Sequence, residues 1–244
     1  MSLVDLAKSK KLPRFQYMDQ QTLDWICINK PKLGVWEYKK DLFCIPLDLK
    51  EIPLETNWFL EPKTIDGIHG IRHAVRVSIY ANALAILFKL SATMRYKTNI
   101  AALLHDVRRQ DDKGDIGHGD RCAEWIDKNF KKINYLQSFE KRQIQPISRA
   151  VKFHEIPYDQ IVVESDYKTH SRIIDIIKTS DALDRYRLPQ LKWWIDDIYL
   201  KIKPTEDFKA FAFDLVTTSE RNFLQGQDNV SSIKESLKAL KIPI

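Results

Sequence analysis

The chain has 244 residues, 44% hydrophobic and 30% charged, which suits one sizeable domain with a buried core. Its net charge of +6 and pI near 9.0 suit anionic ligands such as nucleotides, but the basic residues are spread along the chain and form no long Lys/Arg block. The longest apolar run, around Ala81 to Phe88, is too short to span a bilayer, and the first residues lack the apolar core of a secretory signal. Cys27, Cys44 and Cys122 form no CxxC pair, so the expectation is a cytoplasmic protein with reduced thiols and no thiolate zinc site.

Only 7 glycines among many Lys, Leu, Ile and Asp residues favour a mostly α fold. Residues 1–60 are the exception. Trp25, Ile26, Ile28, Val35, Trp36, Tyr38, Phe43 and Ile45 are interrupted by Pro31, Gly34, Pro46 and Pro53, a pattern that fits short strands or an irregular wrap packed on the core. From about Gly67 to Phe88 the pattern is a mostly buried helix, with Ile71, Val75, Ile79 and Ala83 on one stripe and Val77, Ala81 and Leu84 on the next. His73 lies four residues before Val77 on that second stripe; His69, Arg76 and Tyr80 fall close to the same line.

The next helix, roughly Tyr96 to Arg108, places Ala101, Leu104 and His105 at i, i+3 and i+4 and carries Asp106 directly after. A charged loop, Gln110 to Gly119, follows, and Asp120 is the expected N-cap of a helix through Ile126. A further helix is expected to begin at Pro146, with Ile147, Ala150, Val151 and then His154 on its stripe. In the helix from Ser171 to Asp184, Ile174 and Ile177 lead to Asp181. Residues 191–244 read as aromatic, amphipathic helices separated near Pro204 and Gly226. Residues 61–190 thus form the core, with 1–60 and 191–244 as extensions of it.

A histidine or carboxylate on a buried stripe is costly unless something compensates it. Each one alone has a bland explanation: a lone core histidine is more often simply hydrogen-bonded, Asp181 could pair with Arg185, and His69 and His118 stand beside glycines in loops, where surface positions are the default. Together they make a different case. Imidazole and carboxylate donors suit Mn, Fe, Co, Ni or Zn, and helix bundles build metal centres by projecting such side chains inward. The lack of thiolates points to an open, water-bearing site rather than structural zinc.

In order, His73, His105-Asp106 and Asp181 resemble the H…HD…D pattern of the HD-domain metal-dependent phosphohydrolases, over about residues 65–190. His118-Gly and Phe153-His154 look like the two extra histidines of that family's two-metal branch. The resemblance implies an HD-domain helical bundle in which His73, His105, Asp106 and Asp181 hold a first divalent ion (Mn, Fe, Ni, Co, Mg or Zn). His118 and His154 would either hold a second ion, with Asp106 bridging, or bind phosphate. The implied activity is hydrolysis of a phosphate ester or pyrophosphate, with a nucleotide as the favoured substrate. His69, Arg76, Arg108, Arg109 and Arg185 are the candidate substrate contacts, with Arg76 best placed by its shared face with His69 and His73. Asp111 or Asp112 would join Asp106 in catalysis, orienting water or acting as general acid.

Two other readings stay open: a catalytically silent nucleotide-binding regulatory module, and a metal-dependent nuclease. The second is disfavoured because no basic run with interleaved aromatics marks a strand-binding groove. The absence of a glycine-rich phosphate loop argues against a kinase. Trp36, Trp193 and Trp194 suit either the core or the partner surface of a homo-oligomer.

Overall fold

The computed structural model of the chain describes residues 1–36 and 54–242, and every regular element among them is helical. These are α1 (Leu3–Lys8), α2 (Gln20–Ile28), α3 (Ile71–Leu87), α4 (Ala92–Leu104), α5 (His118–Asn129), α6 (Lys141–Phe153), α7 (Tyr158–Ile161), α8 (Ser165–Leu183), α9 (Glu206–Leu224) and α10 (Asn229–Ala239), with short 3-10 turns between several of them. The mostly α expectation holds.

Helix α3 lies at the centre: every residue from Ile71 to Ala85 is buried, its polar members Arg72, His73, Arg76, Ser78 and Asn82 included. Helices α4 and α8 pack along it, α6 packs on both of these and carries α5, and α9 and α10 pair against α3. The predicted stripes of α3, α4, α6 and α8 all face this core, which brings their polar members together at one place.

Of the short strands or irregular wrap expected in residues 1–60, no strand is found where that region is described, and outside α1, α2 and the 3-10 turn Thr56–Trp58 the chain there is irregular. Trp25 to Ile28 belong to α2, which Asp19 starts by accepting the Thr22 N–H. The apolar residues there form one helical face, with Leu23 and Ile26 fully buried, and α2 packs on α9. Tyr38, Phe43, Ile45, Pro46 and Pro53 lie outside the described residues.

Five helix starts also shift: α3 begins at Ile71 rather than near Gly67, α4 runs Ala92–Leu104 rather than Tyr96 to Arg108 so that Asp106 follows the helix, and three others move as well. Helix α6 begins five residues before Pro146, because Glu140 and Gln143 form a reciprocal cap; the proline sits partly exposed in the second turn. Helix α5 begins at His118 rather than after Asp120, since Gly117 makes the turn with φ +85°. The expected start at Ser171 is a kink at His170 (φ −118°, ψ 15°) within the longer α8. Gly226 does separate α9 from α10, but the stretch from Leu191 to Pro204 holds only the 3-10 turns Leu191–Trp193 and Asp197–Tyr199, not the expected helix. Trp194 packs edge-on against Trp25, Tyr186 and Phe213, and Trp36 packs on Phe211, so both rings serve this chain's own core. Among the described residues no helix is long and apolar enough to cross a membrane.

Candidate metal centre

Helix ends supply most of the site. The last carbonyls of a helix have no intrahelical donor. His105, at the end of α4, uses Nδ1 to donate to the Ala102 carbonyl at 2.7 Å, and His154, at the end of α6, does the same to Val151 at 2.6 Å. His118 Nδ1 donates to the Asp115 carbonyl at 2.7 Å. His73 is inside α3, where the carbonyls are committed to the helix, so its Nδ1 donates instead to Asp184 Oδ2 at 2.8 Å. This hydrogen-bond network assigns the tautomers: with Nδ1–H engaged, a neutral imidazole turns the lone pair of Nε2 towards the centre.

The Nε2 atoms converge in two pairs. His73 and His105 bring theirs within 3.0 Å of each other, with Asp106 Oδ2 at 3.5 and 3.7 Å and Asp181 Oδ1 at 3.4 and 4.0 Å. His118 and His154 bring theirs within 3.0 Å as well, with Asp106 Oδ1 at 3.1 and 3.5 Å. Asp106 therefore gives one oxygen to each group. Donors bound to one ion at about 2.0–2.2 Å stand about 3–3.6 Å apart, which fits every one of these spacings but the 3.7 and 4.0 Å from His105 to the two carboxylates. Two Nε2 atoms facing at 3.0 Å need a cation between them, a proton or a metal ion, and Asp106 Oδ1, buried beside His118, has no aligned hydrogen-bond partner. Each group could hold a metal ion.

Behind the first group stands a buried ionic chain. Arg76 grips Asp184 with Nε at 2.6 Å and Nη2 at 2.9 Å, and reaches Glu220 Oε1 on α9 at 2.7 Å. Arg72 closes the chain on Glu220 Oε2 at 3.0 Å. Burial opposes ionisation of Asp184, but Arg76 outweighs it and holds the carboxyl well below the usual range. The expectation that Arg76 contacts substrate is thus corrected. It is fully buried and turned to Asp184 and Glu220, and it positions His73 from behind.

The second group is fixed by a close helix contact. A Cβ on Gly119 would stand 2.8 Å from the Val151 and Lys152 carbonyls, so only glycine lets α5 approach α6 this closely. Glu155 accepts the Gly119 N–H at 2.6 Å and lies 3.0 Å from His118 Nδ1. Lys178 Nζ ties down the end of α6 by donating to the carbonyls of His154 and Ile156 at 2.9 and 2.6 Å.

The electrostatics differ between the groups. Burial drives the His105 pKa down to about 3, which keeps it a neutral donor. Burial also disfavours the His118 cation, yet Asp106 and Glu155 overcome it and raise that pKa to about 9. Asp106 ionises well below the usual range despite burial, because His105, Arg109 and His118 surround it.

A cavity of about 270 Å³ opens over both groups, and Asp106, Asp181, His118, His154, Arg109, Arg185 and Arg187 line it. Arg109 Nη1 lies 3.2 Å from His118 Nε2, and Arg187 Nη2 lies 3.5 Å from His73 Nε2. His69 also lines this cavity. It and His118 are not surface residues: the His69 side chain is 13% exposed and donates from Nδ1 to Asp112 Oδ1 at 2.9 Å. Asp112 is buried behind His69, and Asp111 faces Arg14 and the Lys113 N–H, so neither carboxylate reaches the cavity over the metal groups. Arg108 does not reach it either, since it donates to the Trp58 carbonyl and lies over the Trp125 ring.

Sequence reasoning missed Asp184, Arg187, Glu155 and Glu220. Asp184 was within reach, because it lies three residues after Asp181, at the C-cap of α8. Glu220 carries no local signal, since its partners lie almost 150 residues away.

No family model, curated protein or solved structure matches this chain. What the fold presents is an all-helical arrangement with two buried His/Asp groups, each able to hold a metal ion.

Proposed function

We propose that this protein is a metal-dependent phosphohydrolase that cleaves a phosphate ester or pyrophosphate bond, most readily in a nucleotide. The observation that carries the reading is the convergence of four histidine Nε2 atoms around the two oxygens of Asp106, beneath a cavity walled by arginines. Divalent ions held there would supply Lewis acidity and make a water molecule acidic enough to attack at neutral pH. His73, His105, Asp106 and Asp181 would hold the first; His118 and His154 would hold a second with Asp106.

Arg109 and Arg187 would take the phosphoryl oxygens, and Arg185 would guard the mouth. Proton transfer to the leaving group falls to His69. Burial, Arg109 and Arg187 hold its pKa well below the usual value. A bound phosphate would cover those two cations, raise that pKa and let Nε2 carry the proton, while Asp112 fixes the ring through Nδ1.

The test is phosphate or nucleoside release from a nucleotide panel, with chelator-stripped protein resupplied with Mn, Fe, Co, Ni, Mg or Zn and Asp106→Ala as control. Metal-dependent turnover that disappears in the variant supports the hydrolase. Nucleotide binding without turnover under any metal would make it a regulatory module instead.

A further inference from the structure

The cavity over the His/Asp groups adjoins a larger one of about 660 Å³, and His69, Lys113, Arg185 and Leu188 line both. Those four side chains stand at the junction. The outer cavity is walled by segments that contribute nothing to the metal groups: the stretch after α1, with Lys10 and Leu12, and the turn Leu191–Trp193, with Lys192 and Trp193. Its volume is in the range that takes a nucleoside-sized body, and Leu12, Ile68 and Trp193 offer that body apolar contact.

Its charge is one-sided. Lys10, Lys113, Arg185 and Lys192 line it, and among the described residues none of their four cationic groups has an ion-pair or hydrogen-bond partner; of Lys113, Asp111 and Arg109 reach only the backbone. The one carboxylate in the lining, Asp112, is buried and already accepts the Gln16 N–H at 2.8 Å and His69 Nδ1 at 2.9 Å. Such a wall favours anions. Lys113 and Arg185, at the junction, can serve the phosphate over the metal groups. Lys10 and Lys192 line the outer cavity alone, so they exceed what a single phosphate needs.

We infer that the substrate carries a second phosphate-type group on its organic body, met by Lys10 and Lys192, while the body rests on Leu12, Ile68 and Trp193. The inference depends on the reading that the inner cavity takes the scissile phosphate. It makes the N-terminal segment a specificity element.

The test compares adenosine 3′,5′-bisphosphate with adenosine 5′-monophosphate as probes, by calorimetric titration of the full chain in chelator, so that binding is read without turnover. The wild type should prefer the bisphosphate by about tenfold or more, and the double variant Lys10→Ala/Lys192→Ala should lose that preference while binding the monophosphate as before. Equal affinities in the wild type, or a preference that survives in the variant, would overturn the assignment. If the preference appears but no metal supports turnover, the hydrolase reading fails and the outer site stands. If turnover appears without the preference, only the outer site fails.

Discussion

His73, His105 and Asp181 come from α3, α4 and α8, which pack against one another in the middle of the fold, whereas His118 and His154 meet where the start of α5 touches the end of α6. The first group gathers His73, His105 and Asp106, with Asp181 beside the two histidines, and rests on the buried chain Asp184–Arg76–Glu220. The second has three donors, shares its carboxylate, and depends on a glycine turn and on Glu155, which is partly exposed. His105 is held neutral, while His118 favours a proton. The same donor types are therefore brought together once in the core and once at a helix contact. The core-built group should bind its ion more tightly and lose it last.

The largest effect should come from Asp106, the residue that belongs to both groups. Asp106→Ala should abolish turnover, by more than about 1,000-fold, and empty both groups in a chain whose circular dichroism is unchanged. His73→Ala against His118→Ala then separates the halves. Metal titration should show the tight class weakened more than about 100-fold by the first substitution and nearly untouched by the second. If His118→Ala removes the tight class, the ranking of the two groups is reversed.

The support behind the first group gives a stability prediction. Arg76→Met leaves Asp184 and Glu220 buried without their shared cation, and denaturant unfolding should show a loss of about 3–5 kcal/mol. A loss below about 1 kcal/mol would mean that the ionic chain is not what holds His73.

The smallest effect concerns Asp112 in the His69 pair. Burial raises its pKa to about 6, above the ordinary carboxylate value, so between about pH 4 and 6 the folded chain keeps a proton that the unfolded chain has lost. Its contribution is complete at low pH and disappears as pH rises through that window, by up to about 3 kcal/mol. Unfolding in chelator, wild type minus Asp112→Asn, should show this fall; a flat difference would remove the assigned shift.

How far the sequence foretold each half follows from the range of its interactions. The stripes of α3, α4, α6 and α8 were legible because helical periodicity is local, and they placed His73, His105, His154 and Asp181 on the core side. The order of those residues was enough to suggest the metal groups. Arg76 was misjudged for the opposite reason: its face was right, but Asp184 and Glu220, which claim its guanidinium, are remote in sequence. The start of α6 was missed because a Glu/Gln cap outweighed the proline signal, and α2 because aromatic and β-branched residues also make a good helical face once α9 covers it.

The measurement that bears most directly on the central claim is equilibrium dialysis of the chain against Mn(II), with bound metal counted by mass spectrometry in the wild type and in folded Asp106→Ala. At least one ion should be held tightly per wild-type chain and none in the variant. A wild type that retains no metal, or a variant that retains as much, would contradict that claim, and the converging histidines would then be a packing arrangement rather than a metal centre.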